Sequence, residues 1–243
     1  MSGAGTIGAW FLLLACGWLA GTISGAAGFG GALILLPVLA FAVGGKAAVP
    51  MLTVAQLLGN LSRAGFGRRE IRWRPAGLFC LGAVPASVAG ARLFVGLESA
   101  VVLRFVGGLL LLVVALRHTR LGRRKLPVGL LVPVGAVVGL VSAVAGSAGP
   151  LGAAAFLGLG LPPQGYVASE AATAVAMHAT KSLVYGRYGA LTLEDGLRGL
   201  LLGGSLVLGS WTGRKVLDRL PERWFGILVE VLLLVSAVAL LRG

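Results

Sequence analysis

The stretch Ser24-Gly25-Ala26-Ala27-Gly28-Phe29-Gly30-Gly31-Ala32-Leu33-Ile34-Leu35-Leu36-Pro37 decides the fold. An apolar run enters it from about residue 6 and another leaves it to about residue 43, with no charged residue in either. Glycine adopts backbone angles closed to other residues and lets neighbours approach, so the cluster Gly28, Gly30 and Gly31 predicts a helix break rather than one continuous helix. The chain repeats the arrangement in Ser142-Ala143-Val144-Ala145-Gly146-Ser147-Ala148-Gly149-Pro150. Gly17, Gly21, Ser24, Gly28 and Gly31 recur 118 positions later as Gly135, Gly139, Ser142, Gly146 and Gly149. Gly67, Gly77, Gly90 and Gly107 recur 119 positions later as Gly186, Gly196, Gly209 and Gly226.

The composition fixes the setting. Of 243 residues, 57% are apolar and 12% charged, and the mean hydropathy is +0.95. Too few charged side chains exist to cover a water-facing surface, which argues against a soluble enzyme, a disulfide scaffold and a disordered chain. A bilayer core takes about 20 helical residues. Ten apolar segments are expected, at about 6–26, 30–43, 47–63, 75–96, 99–117, 127–146, 150–161, 166–184, 195–213 and 223–242. Segments 30–43 and 150–161 are short, so each either crosses or re-enters. The uncharged start, Met1 to Thr6, lacks the basic region of a cleaved signal peptide, and the first apolar stretch is expected to stay as a helix. Cys16 and Cys80 have neither a metal-ligand nor a disulfide spacing and are expected to pack as small residues.

The net charge of +13 would suggest a nucleic-acid partner in a soluble protein. In a membrane protein it fixes orientation instead. Three loops hold 14 of the 21 basic residues. They are Arg63, Arg68, Arg69, Arg72 and Arg74; Arg117, Arg120, Arg123, Arg124 and Lys125; and Arg214, Lys215, Arg219 and Arg223. With ten segments all three fall on one side, which predicts cytoplasmic basic loops and both termini outside. Five segments per half is an odd number, so the second half runs opposite to the first. The expected fold is therefore an all-α polytopic membrane protein of two inverted five-segment repeats. Residues 1–118 form the first repeat, 119–126 a basic cytoplasmic linker, and 127–243 the second repeat. Inverted repeats are an architecture of secondary transporters, with the binding site at the repeat interface.

The glycines separate into two uses. Gly17, Gly21 and Gly25, like Gly135 and Gly139, make small-residue ridges on which membrane helices pack closely. The clustered ones deliver a new helix N-terminus into the interior, where free N–H groups and a partial positive charge suit a small anion. Pro150 fits the first turn of such a helix. No strand precedes the cluster, which excludes a dinucleotide fingerprint.

Polar groups within membrane segments are functional candidates. Gln56, Asn60 and Arg63 share one helical face, and the matching later segment carries Glu170, Thr173, His178 and Lys181. Glu170 and Lys181 are about 16 Å apart along a helix axis, too far for a direct ion pair. Lys181 either supplies charge to an anion site or snorkels to the outer surface. His178 is a coupling-proton candidate or a packing histidine, and Glu170 is a second coupling candidate or a cap on the helix N-terminus. Arg104 and Arg198 are expected near segment ends, and Glu230 has no identifiable partner. The substrate-binding candidates are Ser24, Gly28, Phe29, Gly30, Gly31, Gln56, Asn60, Ser142, Gly146, Ser147, Gly149, Thr173 and Lys181. No cofactor and no metal are expected.

Ser24–Pro37, its second copy from Ser142, and the polar helices that follow resemble the sulfite exporter TauE/SafE family over nearly the whole chain. The second copy departs from the first, with Ser147 and Ala148 at the positions of Phe29 and Gly30 and Ala155 at that of Pro37. The resemblance implies transport of sulfite or a small organosulfonate across the cell membrane. Its partners would be that small anion and the lipid bilayer, with no nucleic acid; a homo-oligomer is compatible with the sequence. A passive anion channel would rest on the same features. A membrane enzyme is disfavoured, because no nucleophile has a base beside it and the two histidines, His118 and His178, lie apart.

Overall fold

The computed structural model describes residues 3–94 and 126–221, with the single positions 223, 224, 227, 231 and 234. The expected segment 99–117, most of the linker and most of the last segment lie outside the described residues, as do Arg104, His118 and Glu230. Among the described residues every element is helical. In chain order they are α1 (Gly3–Ala27), α2 (Gly31–Val43), α3 (Gly45–Phe66) and α4 (Trp73–Phe94). A short 3₁₀ turn, Val128–Leu130, leads into α5 (Leu131–Val144), α6 (Gly149–Leu157), α7 (Pro163–Arg187) and α8 (Leu193–Leu217).

Several helices outrun their apolar runs. Helix α8 is capped by Thr192, whose Oγ1 accepts a hydrogen bond from the Asp195 N–H, and its first turn holds Glu194 and Asp195. Arg214 and Lys215 occupy its last turn. Acidic residues at the start and basic ones at the end complement the helix dipole, so polar termini extend the helix beyond what hydropathy marks. Helix α6 is instead shorter than its apolar run, at nine residues.

The distribution of polarity is inside out. Phe11, Leu183 and Leu193 are 70%, 76% and 82% exposed, while Gln56, Asn60, Arg63, Glu170, His178 and Lys181 are buried. A surface of this kind is stable against lipid tails and unfavourable against water. Two helices among the described residues are long and apolar enough to cross a bilayer, α4 and the Trp10–Ala27 part of α1.

Glycine sets the helix pairing. Helix α1 packs on α8, and α5 on α4. A methyl group at Gly21 would lie 2.5 Å from the Leu206 carbonyl oxygen, and one at Gly213 would lie 2.3 Å from that of Thr22. On the other pair, a methyl at Gly139 would lie 2.2 Å from the Ala83 oxygen, and one at Gly82 would lie 1.9 Å from that of Val132. Backbones in direct contact compensate for the missing hydrophobic drive between helices in lipid. Helices α3 and α7 pack on each other at the centre, and α3 also packs on α8, as α7 does on α4.

Candidate functional site

The first break lies between α1 and α2. Gly28 (φ 86°) and Gly30 (φ 104°) both adopt left-handed backbone angles that a side chain would oppose. The last carbonyls of a helix lack the full set of intrahelical partners, and at the end of α1 Ser24 O takes the Gly28 N–H at 2.9 Å. Arg63, from α3, adds to these: its Nη1 donates to Ser24 O at 3.0 Å and to Gly28 O, and its Nη2 donates to Asn60 Oδ1. The Tyr166 hydroxyl, from α7, donates to Ala27 O at 2.9 Å. With no water in a bilayer core, such internal partners are what make a broken helix stable there.

The second break lies between α5 and α6, with Gly146 at φ 78°. Lys181 Nζ, from α7, donates to Ser142 O at 3.1 Å, to Ser142 Oγ at 3.0 Å and to Gly146 O at 3.4 Å. The Tyr185 hydroxyl donates to Ala143 O at 2.5 Å. Arg63 and Lys181 are 118 positions apart, and so are their carbonyl acceptors, Ser24 with Ser142 and Gly28 with Gly146. A cation at a helix C-terminus also faces the negative end of the helix dipole.

The two breaks abut. A methyl group placed on Gly149 would lie 3.2 Å from Phe29 Cβ. Helix α2 starts at Gly31 and α6 at Gly149, with Pro150 in its first turn and no side-chain cap on either helix. Between them lies a cavity of about 30 Å³. Ser24, Gly28, Phe29, Gly30 and Gly31 line it from the first break, Gln56 and Asn60 from α3, and Ser142, Ser147 and Gly149 from the second break. Glu170 and His178 also line it, from α7.

Three candidates are placed elsewhere. The Gly146 position faces Val49, and the Thr173 hydroxyl donates to Glu170 O in its own helix at 2.8 Å. Lys181 is fully buried and bound to the second break, so it neither snorkels outward nor lines the cavity. Glu170 is no helix cap. It is the eighth residue of α7, buried, with Oε2 at 3.5 Å from Arg63 Nη2. Arg63 is no loop residue either, because α3 continues to Phe66 and carries it, 6% exposed, onto the cavity wall. Sequence reasoning placed it on the right helical face and then gave its charge to the inner loop; the 118-residue register with Lys181 was the signal that pairs it with the break. Tyr166 was missed altogether. Arg198 pairs with Glu194 on the exposed side of α8.

The lining is rich in hydrogen-bond donors. Gln56 Nε2 is buried without a partner and lies beside the start of α2, where a methyl on Gly31 would be 3.1 Å from it. Ser142 Oγ accepts from Lys181, and Ser147 Oγ accepts from the Gly149 N–H at 3.4 Å, which leaves both O–H groups to donate. The Ser24 hydroxyl is committed to Gly21 O at 3.2 Å. Glu170 Oε2 and His178 Nδ1 are buried without hydrogen-bond partners. Among the described residues no group of three or more His, Cys, Asp or Glu could hold a metal ion.

The described residues thus combine an apolar exterior, two helix breaks and a buried polar cavity between them. No curated protein and no solved structure matches the chain. Residues 13–240 match the family described as Sulfite exporter TauE/SafE. The chain belongs to the sulfite exporter TauE/SafE family of membrane transporters.

Proposed function

We propose that the protein exports a small sulfur-containing anion, sulfite or an organosulfonate, and that the cavity between the two breaks is its binding site. The observation that carries this reading is the unpartnered Gln56 Nε2 beside the first turn of α2, in a cavity that α6 enters from the other side. Helix N-termini and neutral donors hold anionic oxygens well where water is excluded. The anion would be bound by the backbone of Gly28, Phe29, Gly30 and Gly31, by Gly149, and by Gln56, Asn60, Ser142 and Ser147. Thr173, Gly146 and Lys181 act from behind, by shaping α7 and the second break.

About 30 Å³ has room for about two waters, so a whole substrate enters only when the walls part. That supports alternating access, one inverted five-segment repeat moving against the other, with residues 1–118 and 127–243 as the moving units. The matched grips of Arg63 and Lys181, 118 residues apart, support the repeat. Glu170 and His178 are the groups for proton coupling. Basic loops in the cytoplasm and both termini outside follow from the charge distribution.

Liposomes containing the purified protein and loaded with sulfite or methanesulfonate test the reading. Saturable, protein-dependent efflux is expected, and Gly149→Leu, whose side chain would grow into Phe29 and the cavity, is expected to abolish it while the protein remains monodisperse. Absence of flux for every sulfur anion overturns the proposal, and flux that rises without saturation replaces the carrier with a channel.

A further inference from the structure

The cavity is built for more than a negative charge. One wall offers donors, Gln56 Nε2 and the hydroxyls of Ser142 and Ser147. The opposite requirement comes from Glu170, whose Oε2 is buried without a hydrogen-bond partner and whose nearest cation, Arg63, is at 3.5 Å and already bonded to Ser24, Gly28 and Asn60. On the α6 side the neighbour is Gly152, which brings no side chain: a methyl there would lie 3.6 Å from Glu170 Oε1, and both residues line the cavity. The charged and titratable groups that line the cavity with it are Arg63 from α3 and His178 from its own helix; Val138 of α5 and Gly152 of α6 line it as well. A ligand with acceptors alone would satisfy the donor wall and leave a buried carboxylate facing its lone pairs, which is unfavourable at short range in a low dielectric.

We propose that Glu170 is a specificity-determining residue that selects singly charged sulfur oxyanions carrying an O–H or N–H donor, such as hydrogen sulfite or an amino- or hydroxyl-bearing sulfonate. The sulfonyl oxygens take the donor wall, and the ligand's own hydrogen is given to Glu170 Oε2. A dianion such as sulfate brings no donor and a second charge to the same carboxylate, and the site rejects it. This inference rests on the transport reading and adds the chemistry of its substrate.

Sulfamate and methanesulfonate are the probes, because both are stable monoanions of five heavy atoms and only sulfamate carries N–H donors. Calorimetric titration of the full chain in detergent, at one pH, is expected to give sulfamate at least about tenfold tighter binding than methanesulfonate, the ratio one charge-assisted hydrogen bond supplies. In Glu170→Gln the preference is expected to fall below about threefold. The wild-type comparison decides the matter even where that variant fails to fold. Equal affinities, or tighter binding of methanesulfonate, overturn the inference and leave the transport reading standing. No binding of either probe together with no flux of any sulfur anion overturns the reading itself, and the inference with it.

Discussion

The first break carries two left-handed glycines, Gly28 and Gly30, and is gripped by an arginine; the second carries one, Gly146, and is gripped by a lysine. Each cation comes from the third helix of its own half and bonds the carbonyls four residues apart at the end of the first. The difference lies in what each does besides. The Arg63 fork also reaches Asn60 and faces Glu170 of α7, so the first break is tied electrostatically to the later half. All the bonds of Lys181 go to the second break, and among the described residues it has no carboxylate within ion-pair distance. The same mechanical task is therefore done twice, and only one copy is connected across the cavity. On the proposed reading a charged ligand would meet Arg63 and Glu170, whereas the bonds of Lys181 are all to its own turn.

Removing the two cations separates these roles most sharply. Arg63→Met strands Glu170 as an uncompensated buried charge and is expected to lose about 3–5 kcal/mol of stability. Lys181→Met leaves only carbonyls unsatisfied, about 1–3 kcal/mol. Thermal unfolding in detergent checks the order; a Lys181→Met protein less stable than Arg63→Met would mean that the second break, not the first, carries the strained charge. Backbone conformation gives a smaller contrast. Gly30→Ala places a side chain at φ 104° and is expected to destabilise by about 1–2 kcal/mol, whereas Ala148→Gly, at the matching position with φ −140°, is expected to cost less than about 1 kcal/mol. Equal effects would show that the two turns share a geometry after all. The tyrosines come last: Tyr166→Phe and Tyr185→Phe each remove one hydroxyl that donates to a carbonyl at a break, for about 1 kcal/mol apiece, read from the same unfolding curves.

Much of this was legible in the residues. The breaks were marked by glycine clusters and by Pro150, and of the ridge glycines Gly21, Gly135 and Gly139 lie against neighbouring backbones and Gly17 against the Ser205 side chain. Ten of the thirteen binding candidates line one cavity. What could not be read was where polar side chains commit their bonds. Thr173 and Lys181 each share a helical face with cavity residues, but the first turns back on its own helix and the second reaches the carbonyls of another. Arg63 was obscured by its neighbours, because four more arginines follow it before α4 is under way and its charge reads as part of theirs. Hydropathy places the end of α3 near that residue; the helix persists to Phe66 and takes the charge inside.

The glycine contacts also bear on how the chain is made. The closest glycine contacts of α1 are with α8, far along the chain, whereas those of α4 are with the nearby α5, so the α1 pairing can form only after α8 has been made. Until then a groove of bare peptide, Gly17, Gly21 and Gly25, faces the bilayer with no side chains to shield it. Assembly therefore closes late and all at once, and a chain interrupted before α8 presents that groove to whatever helix drifts past.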